Sequence, residues 1–299
     1  MSVVFHFDGS DALSTQVREQ GVTLCPENDD ATFGRLLPEM EVLWHVLKPV
    51  TASVIARAPR LKLIQKIGVG VNTIDIDAAG RRGIAVCNLP GSNSRAVAEM
   101  ALLLMLACLR EIRTLDAMVR SGSWYGALKM QDRLGEIGGR TIGLVGYGAV
   151  PKILHGILDA MGANVLYWSR STRNASYEEL LARSDVVSLH LPLTPETTGM
   201  VDPGQMKPGS ILVNTARGGL VDEKSLVDAL ASGRLAAAGL DVFASEPIAA
   251  DHPLLALPNV ICAPHIAWLT GETLNRSIAA ALENVRRLRS GEPLMNRVV

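Results

Sequence analysis

Two doubly wound α/β halves are what this chain of 299 residues predicts, and three observations carry the prediction. Short apolar runs alternate with helical patterns up to about residue 87, the alternation stops at Asn88-Leu-Pro-Gly-Ser-Asn-Ser94, and it restarts after Gly138-Gly139. Strands separated by helices make parallel sheets covered on both faces.

In the first half, strands are expected at Val3–Phe7, Val22–Cys25, Glu41–Val46, Leu61–Ile67 and Ile84–Cys87. Pro90 and Gly91 then break the pattern, which places a domain boundary before the helical run from Arg95 to about Ser121. Ala96–Leu109 is apolar nearly all round, so this helix needs burial on most sides, at a domain or subunit interface. It falls short of the roughly 20 residues that span a bilayer, and Glu99 lies within it. The second half reads as strand Thr141–Val145, helix Pro151–Met161, strand Asn164–Trp168, helix Tyr177–Ala182 and strands Asp185–Leu189 and Ser210–Asn214. Helix Glu223–Ser232 follows behind an Asp222 cap, then strands Leu235–Leu240 and Asn259–Cys262. Ser176 with Glu179 forms a capping-box pattern. The last helix, Gly271–Ser290, is amphipathic and basic toward its end, as the helix dipole favours.

Composition narrows the function. With 48% hydrophobic and 20% charged residues the chain can build a core throughout. Lys plus Arg is 29 against 30 Asp plus Glu, a net charge of -1, which gives no electrostatic reason to bind nucleic acid or an anionic membrane. The expected partners are small molecules or protein. Cys25, Cys87, Cys108 and Cys262 form no CxxC, so neither a zinc knuckle nor a disulfide framework is expected, and a reducing cytosol fits. The opening strand lacks the basic and apolar regions of an export signal, so a cytoplasmic location is expected. His6, His45, His155, His190 and His252 show no metal-ligand spacing and are read as structural; no metal is assigned.

The chemistry begins at Thr141-Ile-Gly-Leu-Val-Gly-Tyr-Gly-Ala-Val-Pro151, an apolar strand running into a glycine turn and a helix. Gly146 permits the tight turn, Gly148 lets backbone approach a pyrophosphate, and Tyr147, Ala149 and Val150 complete a cradle at a helix N-terminus. The third glycine of the dinucleotide fingerprint is replaced by Pro151, tolerated in a first helical turn. About 20 residues on, the next strand ends at Ser169-Arg170 instead of a carboxylate that would accept the ribose hydroxyls. A hydroxyl that can donate and a guanidinium that can pair with phosphate point to NADP(H) in preference to NAD(H), which stays possible. The competing reading makes Arg170 and Arg173 solvated loop charges.

Three further motifs follow: Val213-Asn-Thr-Ala-Arg-Gly-Gly-Leu-Val-Asp-Glu223, Ala238-Gly-Leu-Asp-Val-Phe-Ala-Ser-Glu-Pro247 and Cys262-Ala-Pro-His-Ile-Ala-Trp268. With Lys66-Ile-Gly-Val-Gly-Val-Asn72, Pro90-Gly-Ser-Asn-Ser-Arg-Ala-Val-Ala-Glu99 and Ser188-Leu-His-Leu-Pro-Leu-Thr-Pro-Glu196, they resemble, over most of the chain, the D-isomer-specific 2-hydroxyacid dehydrogenases, and among them the NADPH-dependent glyoxylate and hydroxypyruvate reductases.

The resemblance implies a catalytic set of Arg217, Glu246 and His265. A guanidinium suits a substrate carboxylate and polarises the carbonyl, an imidazole titrates near working pH as general acid or base, and a carboxylate holds the ring. It also implies that backbone N–H groups of Val69 and Gly70 help bind the substrate carboxylate, and that Leu191, Pro192, Ala216 and Asp241 line the nicotinamide end. Residues 1–93 and 273–299 are then a flavodoxin-like substrate domain, into which a Rossmann cofactor domain of residues 94–272 is inserted, with the active site in the cleft. A homodimer through the apolar helix and the arm after it is implied as well.

Each role has a structural competitor. Arg217 and Glu246 could be surface ion pairs and His265 a hydrogen-bonded structural histidine. Trp268 could wall the substrate pocket, favouring small substrates, or pack in the core. Reduction of larger 2-keto acids, and non-catalytic dinucleotide sensing on the same fold, are the rival functions. Formate oxidation is disfavoured because Glu246 stands where that branch has glutamine, and phosphoserine biosynthesis because little chain follows the last helix.

Overall fold

The computed structural model describes residues 1–299 as two compact units, one of residues 1–93 and 270–299 and the other of residues 94–269. The first unit runs β1 (Val3–His6), α1 (Asp11–Glu19), β2 (Val22–Cys25), α2 (Asp30–Leu36), β3 (Val42–His45), α3 (Ala52–Ala56), β4 (Leu63–Lys66), α4 (Ile76–Arg81) and β5 (Ala85–Cys87). Its sheet is parallel throughout, ordered β2-β1-β3-β4-β5, the flavodoxin-like arrangement. All four residues of β1, β3 and β4 are buried, as a sheet covered on both faces requires. Side-chain caps start the helices: Ser10, Asp29, Thr51 and Asp75 each accept an N–H three residues on.

The second unit contains α5 (Ser94–Leu109), α6 (Ile112–Arg120), β6 (Thr141–Val145), α7 (Ala149–Ala160), β7 (Asn164–Trp168), α8 (Tyr177–Arg183), β8 (Val186–Leu189), β9 (Ser210–Asn214), α9 (Glu223–Ala231), β10 (Leu235–Leu240), α10 (Pro253–Ala256) and β11 (Val260–Cys262). These strands form a second parallel sheet, ordered β11-β10-β9-β8-β6-β7. After β6 the chain steps outward to β7 and then crosses back to β8. The topological switch point therefore lies between the carboxyl ends of β6 and β8, where open α/β sheets bind ligands.

The chain returns to the first unit through α11 (Gly271–Ser290), capped by Thr270, whose hydroxyl accepts the Thr273 N–H. Asn284 on this helix is buried and donates to Gln65 Oε1 at 2.7 Å, and Val298 N–H donates to the Val86 carbonyl. No helix is long and apolar enough to cross a membrane.

Three expectations are corrected. The helix expected from Arg95 to Ser121 is two helices, because Glu111 adopts a left-handed backbone (φ 44°) and Arg133 grips its carboxylate bidentately at 2.9 and 2.6 Å. The helix expected to open at Pro151 opens at Ala149, placing the proline third, where its missing N–H costs no intrahelical bond. The capping box is half formed: the Ser176 hydroxyl accepts the Glu179 N–H at 3.0 Å, while the Glu179 carboxylate turns to Arg183 one helical turn on.

Candidate active site

Gly146 sits at the switch point with φ 98°, and a Cβ there would lie 2.6 Å from the His190 carbonyl oxygen. Only glycine lets the end of β6 turn this close to the end of β8. Gly148 caps α7 without a side-chain hydrogen bond and has open space where a Cβ would stand. The first turn of α7 thus presents unsatisfied N–H groups at Ala149 and Val150, and Pro151 supplies none. Tyr147 contributes backbone here, since its ring stacks on Tyr167 at 3.9 Å and its hydroxyl lies 2.6 Å from His155 Nδ1.

Beside this cradle, His190 Nε2 and Thr215 Oγ1, just beyond the ends of β8 and β9, are inaccessible and have no hydrogen-bond partner. Burial pushes the His190 ring down to about 3, so it is neutral. A glycine turn with room for a ligand, an uncapped helix start and two waiting polar atoms fit a dinucleotide. The end of β7 is brought alongside by the Gly146 N–H, which donates to the Trp168 carbonyl at 2.8 Å. There Ser169 closes a tight turn: its hydroxyl donates to the Thr172 carbonyl at 2.8 Å and accepts the Thr172 N–H at 3.0 Å. That hydroxyl is occupied as a donor. Arg170 and Arg173 stand exposed on the turn without an ion pair.

Loops after β9, β10 and β11 gather Arg217, Glu246 and His265. Asn214 shapes the first loop, accepting the Ala216 N–H at 3.0 Å and donating to the Arg217 carbonyl at 2.9 Å. Arg217 Nη1 donates to the Ala216 carbonyl at 2.6 Å. Burial pulls the Arg217 guanidinium below its ordinary value, and the Glu246 charge opposes that pull. Gly218 follows with the Phe243–Ala244 backbone where a side chain would project. This close approach of the β9 and β10 loops was missed from sequence, although Gly218-Gly219 directly after Arg217 is its signal.

Glu246 accepts the Phe243 N–H at 3.0 Å through Oε1, and its Oε2 lies 2.6 Å from His265 Nδ1. Burial pushes the Glu246 carboxyl up, but the His265 and Phe243 hydrogen bonds and the His265 and Arg217 charges outweigh it and leave it below the usual carboxylate range. An ionised carboxylate only accepts, so the proton between them sits on Nδ1, and Nε2 is the end of the ring left for chemistry. His265 itself has a left-handed backbone, φ 57°, uncommon for a residue with a side chain.

Asp241 explains how that backbone is held. Its carbonyl accepts the His265 N–H at 2.8 Å, and its carboxylate accepts the N–H groups of Ile266 and Ala267 at 2.9 and 2.8 Å. Burial pushes the Asp241 carboxyl up, against those same hydrogen bonds. Trp268, three residues after His265, is buried. Leu191 packs on the core of the second unit, and the Pro192 carbonyl accepts from Thr197 Oγ1 at 2.7 Å.

Val69 and Gly70 belong to the first unit, in the loop after β4. Its shape is set by Gly68 (φ 146°), whose carbonyl accepts the Leu89 N–H at 2.8 Å, and by Asn88, which donates to the Val69 carbonyl at 2.8 Å. No three His, Cys, Asp or Glu side chains converge in a way that could hold a metal ion.

Fold and glycine cradle together define a dinucleotide-binding α/β protein. Residues 102–267 match the profile of the D-isomer specific 2-hydroxyacid dehydrogenase, NAD binding domain. The D-3-phosphoglycerate dehydrogenase of Mycobacterium leprae is 43% identical over 257 residues, covering 81% of this chain and 48% of that protein. The chain thus spans about half the length of the curated phosphoglycerate dehydrogenases it matches. The glyoxylate reductase of Aeropyrum pernix is 38% identical over 282 residues, covering 87% of this chain and 84% of its own. Among solved structures, the NAD-dependent formate dehydrogenase of Staphylococcus aureus in complex with NAD superposes with a TM-score of 0.89 at 28% identity, over 100% of this chain and 99% of its own. The chain belongs to the D-isomer specific 2-hydroxyacid dehydrogenase family.

Proposed function

We propose that the protein reduces a small 2-keto acid, such as glyoxylate or hydroxypyruvate, to the D-2-hydroxy acid with a nicotinamide dinucleotide, NADPH by preference. The observation that carries this reading is the 2.6 Å contact of His265 Nδ1 with the ionised Glu246, which leaves Nε2 as the proton donor in the loop beside Arg217. The dinucleotide, when bound, supplies the hydride to the carbonyl carbon. Arg217 takes the substrate carboxylate in a bidentate pair and polarises the carbonyl. His265 gives its Nε2 proton to the carbonyl oxygen as that oxygen gains negative charge, and recovers one from solvent. Glu246 favours the protonated ring through its charge and keeps it oriented. In oxidation the same groups run in reverse, with His265 as base.

NADPH preference rests on Arg170 and Arg173, two unpaired guanidinium groups where a carboxylate would repel a 2′-phosphate. A homodimer is supported by the apolar surface left on α6 and the turn after it, where Ile112, Val119, Trp124, Tyr125 and Leu128 are all more than half exposed.

A second reading, oxidation of D-3-phosphoglycerate, is favoured by the 43% identity to the mycobacterial dehydrogenase. One assay separates the two: NADPH and NADH absorbance followed with glyoxylate, hydroxypyruvate, pyruvate and larger 2-keto acids, beside D-3-phosphoglycerate with either oxidised dinucleotide. Turnover of a small keto acid with NADPH, lost in Arg217→Ala, is the expected result. Turnover of phosphoglycerate alone favours the second reading, and tight dinucleotide binding without turnover favours a sensor.

A further inference from the structure

Far from the glycine cradle, at the amino ends of the strands of the second unit, a cavity of about 170 Å³ opens between the end of α5, the start of α6 and the edge of the sheet. Its floor is apolar, built from Leu109, Ile211, Ala237 and Ile261. Its wall carries three guanidinium groups, Arg113, Arg133 and Arg140, against two carboxylates, Glu111 and Asp185.

Both carboxylates are already matched. Arg133 holds Glu111 bidentately, and Asp185 is held by Lys207 at 2.7 Å and by the Thr141 N–H at 2.9 Å. Neither Arg113 nor Arg140 is in an ion pair, although the Arg140 charge acts on Asp185 from a distance. Arg113 Nη1 donates to the carbonyls of Val260 and Leu257 at 3.1 and 3.3 Å, and Arg140 Nε donates to the Glu136 carbonyl at 2.7 Å. Each guanidinium carries five donors, so both keep N–H groups to spare, and Arg113 faces no carboxylate in the wall. The cavity therefore offers an anion anchor above an apolar floor, and a void on the order of 150 Å³ is large enough for a benzene-sized ligand.

We propose that this cavity binds a small monocarboxylic acid with an apolar body, its carboxylate held by Arg113 and Arg140 and its hydrocarbon resting on Leu109, Ile211, Ala237 and Ile261. It is a ligand site separate from the dinucleotide and keto acid site, since the amino ends of the strands face away from the switch point.

Isothermal titration calorimetry with benzoate, 4-methylpentanoate and benzyl alcohol tests this on the whole protein. Both acids are expected to bind at one site per chain, and benzyl alcohol, which lacks the charge, is not. Binding should survive Arg217→Ala and weaken about tenfold or more in Arg113→Gln and Arg140→Gln, the effect of losing a charge-assisted hydrogen bond. Because Arg113 also ties down the carbonyls of Leu257 and Val260, Arg140→Gln with an unchanged melting temperature is the cleaner arm. Absence of binding overturns the proposal. So does binding lost in Arg217→Ala but untouched in the other two variants, which would place the acids at the keto acid site. A change of sedimentation in Arg113→Gln or Arg140→Gln without acid binding would assign the cavity to a second copy of the chain.

Discussion

The backbone carbonyl of Asp241 accepts the N–H of His265 at 2.8 Å, while its carboxylate takes the next two N–H groups, so one buried residue holds the histidine in its left-handed conformation. Asp241→Asn keeps the shape but turns a donor toward one of those N–H groups, leaving it unsatisfied at a cost of about 1–3 kcal/mol. kcat is expected to fall more than tenfold with the KM for dinucleotide nearly unchanged. Equal losses in kcat and dinucleotide affinity would show that Asp241 acts on the cofactor instead.

His265→Ala removes the proposed proton donor, and a decrease of about 10²- to 10⁴-fold in kcat is expected. Glu246→Gln should give a smaller loss and a changed pH profile. Glu246 is ionised below the usual carboxylate range, so the wild-type enzyme keeps its imidazole partner until the pH falls past that range and then loses it. With glutamine that acid-side loss disappears from a rate that is lower throughout. Steady-state profiles of the two proteins are the check.

Arg170→Ala should reduce kcat/KM with NADPH by roughly 10- to 150-fold, the loss of one or two charge-assisted hydrogen bonds, and leave NADH nearly unaffected. Ser169→Asp should favour NADH by offering a carboxylate to the ribose hydroxyls. Equal efficiencies with both dinucleotides in the wild type would remove the basis for either effect.

Stability should depend on pH through His190. Its ring stays neutral down to about 3 in the folded chain but takes a proton near 6.5 once unfolded. Between those values the unfolded state binds the extra proton, so stability is full above 6.5 and declines by up to about 1.4 kcal/mol per pH unit as pH falls. In denaturant titrations from pH 7 to pH 4, His190→Gln is expected to lose less stability than wild type.

Gly146→Ala and Gly218→Ala should both lower the melting temperature, because each new methyl meets backbone that cannot swing aside. Gly148→Ala meets nothing in the protein and should melt normally while binding dinucleotide more weakly, its methyl occupying the approach to the pyrophosphate. Thermal melts with and without NADPH distinguish the two kinds of glycine.

Much of this arrangement was legible in the residues. β10 and α11 were read to the residue, the first from its apolar run and the second from an amphipathic pattern that turns basic toward its end. Arg217, Glu246 and His265 came from the family resemblance of the motifs that hold them, since each alone reads as readily as an ion pair or a structural histidine, and they lie in loops at one end of one sheet. The break at Glu111 was not legible, because Arg110-Glu111-Ile112 holds no glycine or proline and the bend depends on Arg133, far along the chain. The grip of Asp241 on the His265 loop and the crossing at Gly218 escaped for the same reason: both are distances between loops, and no local pattern encodes them.

The two separate stretches of chain that build the first unit also order its biosynthesis. Residues 94–269 emerge as a continuous unit and can fold as they leave the ribosome, but residues 1–93 wait for α11 and for the strand-like contact of Val298 with Val86. At ordinary synthesis rates that wait is roughly 10 to 40 s. Throughout it the Gln65 side chain on β4 that Asn284 will cover is open to chaperones, so slowing translation late in the message should raise chaperone dependence more than slowing it early.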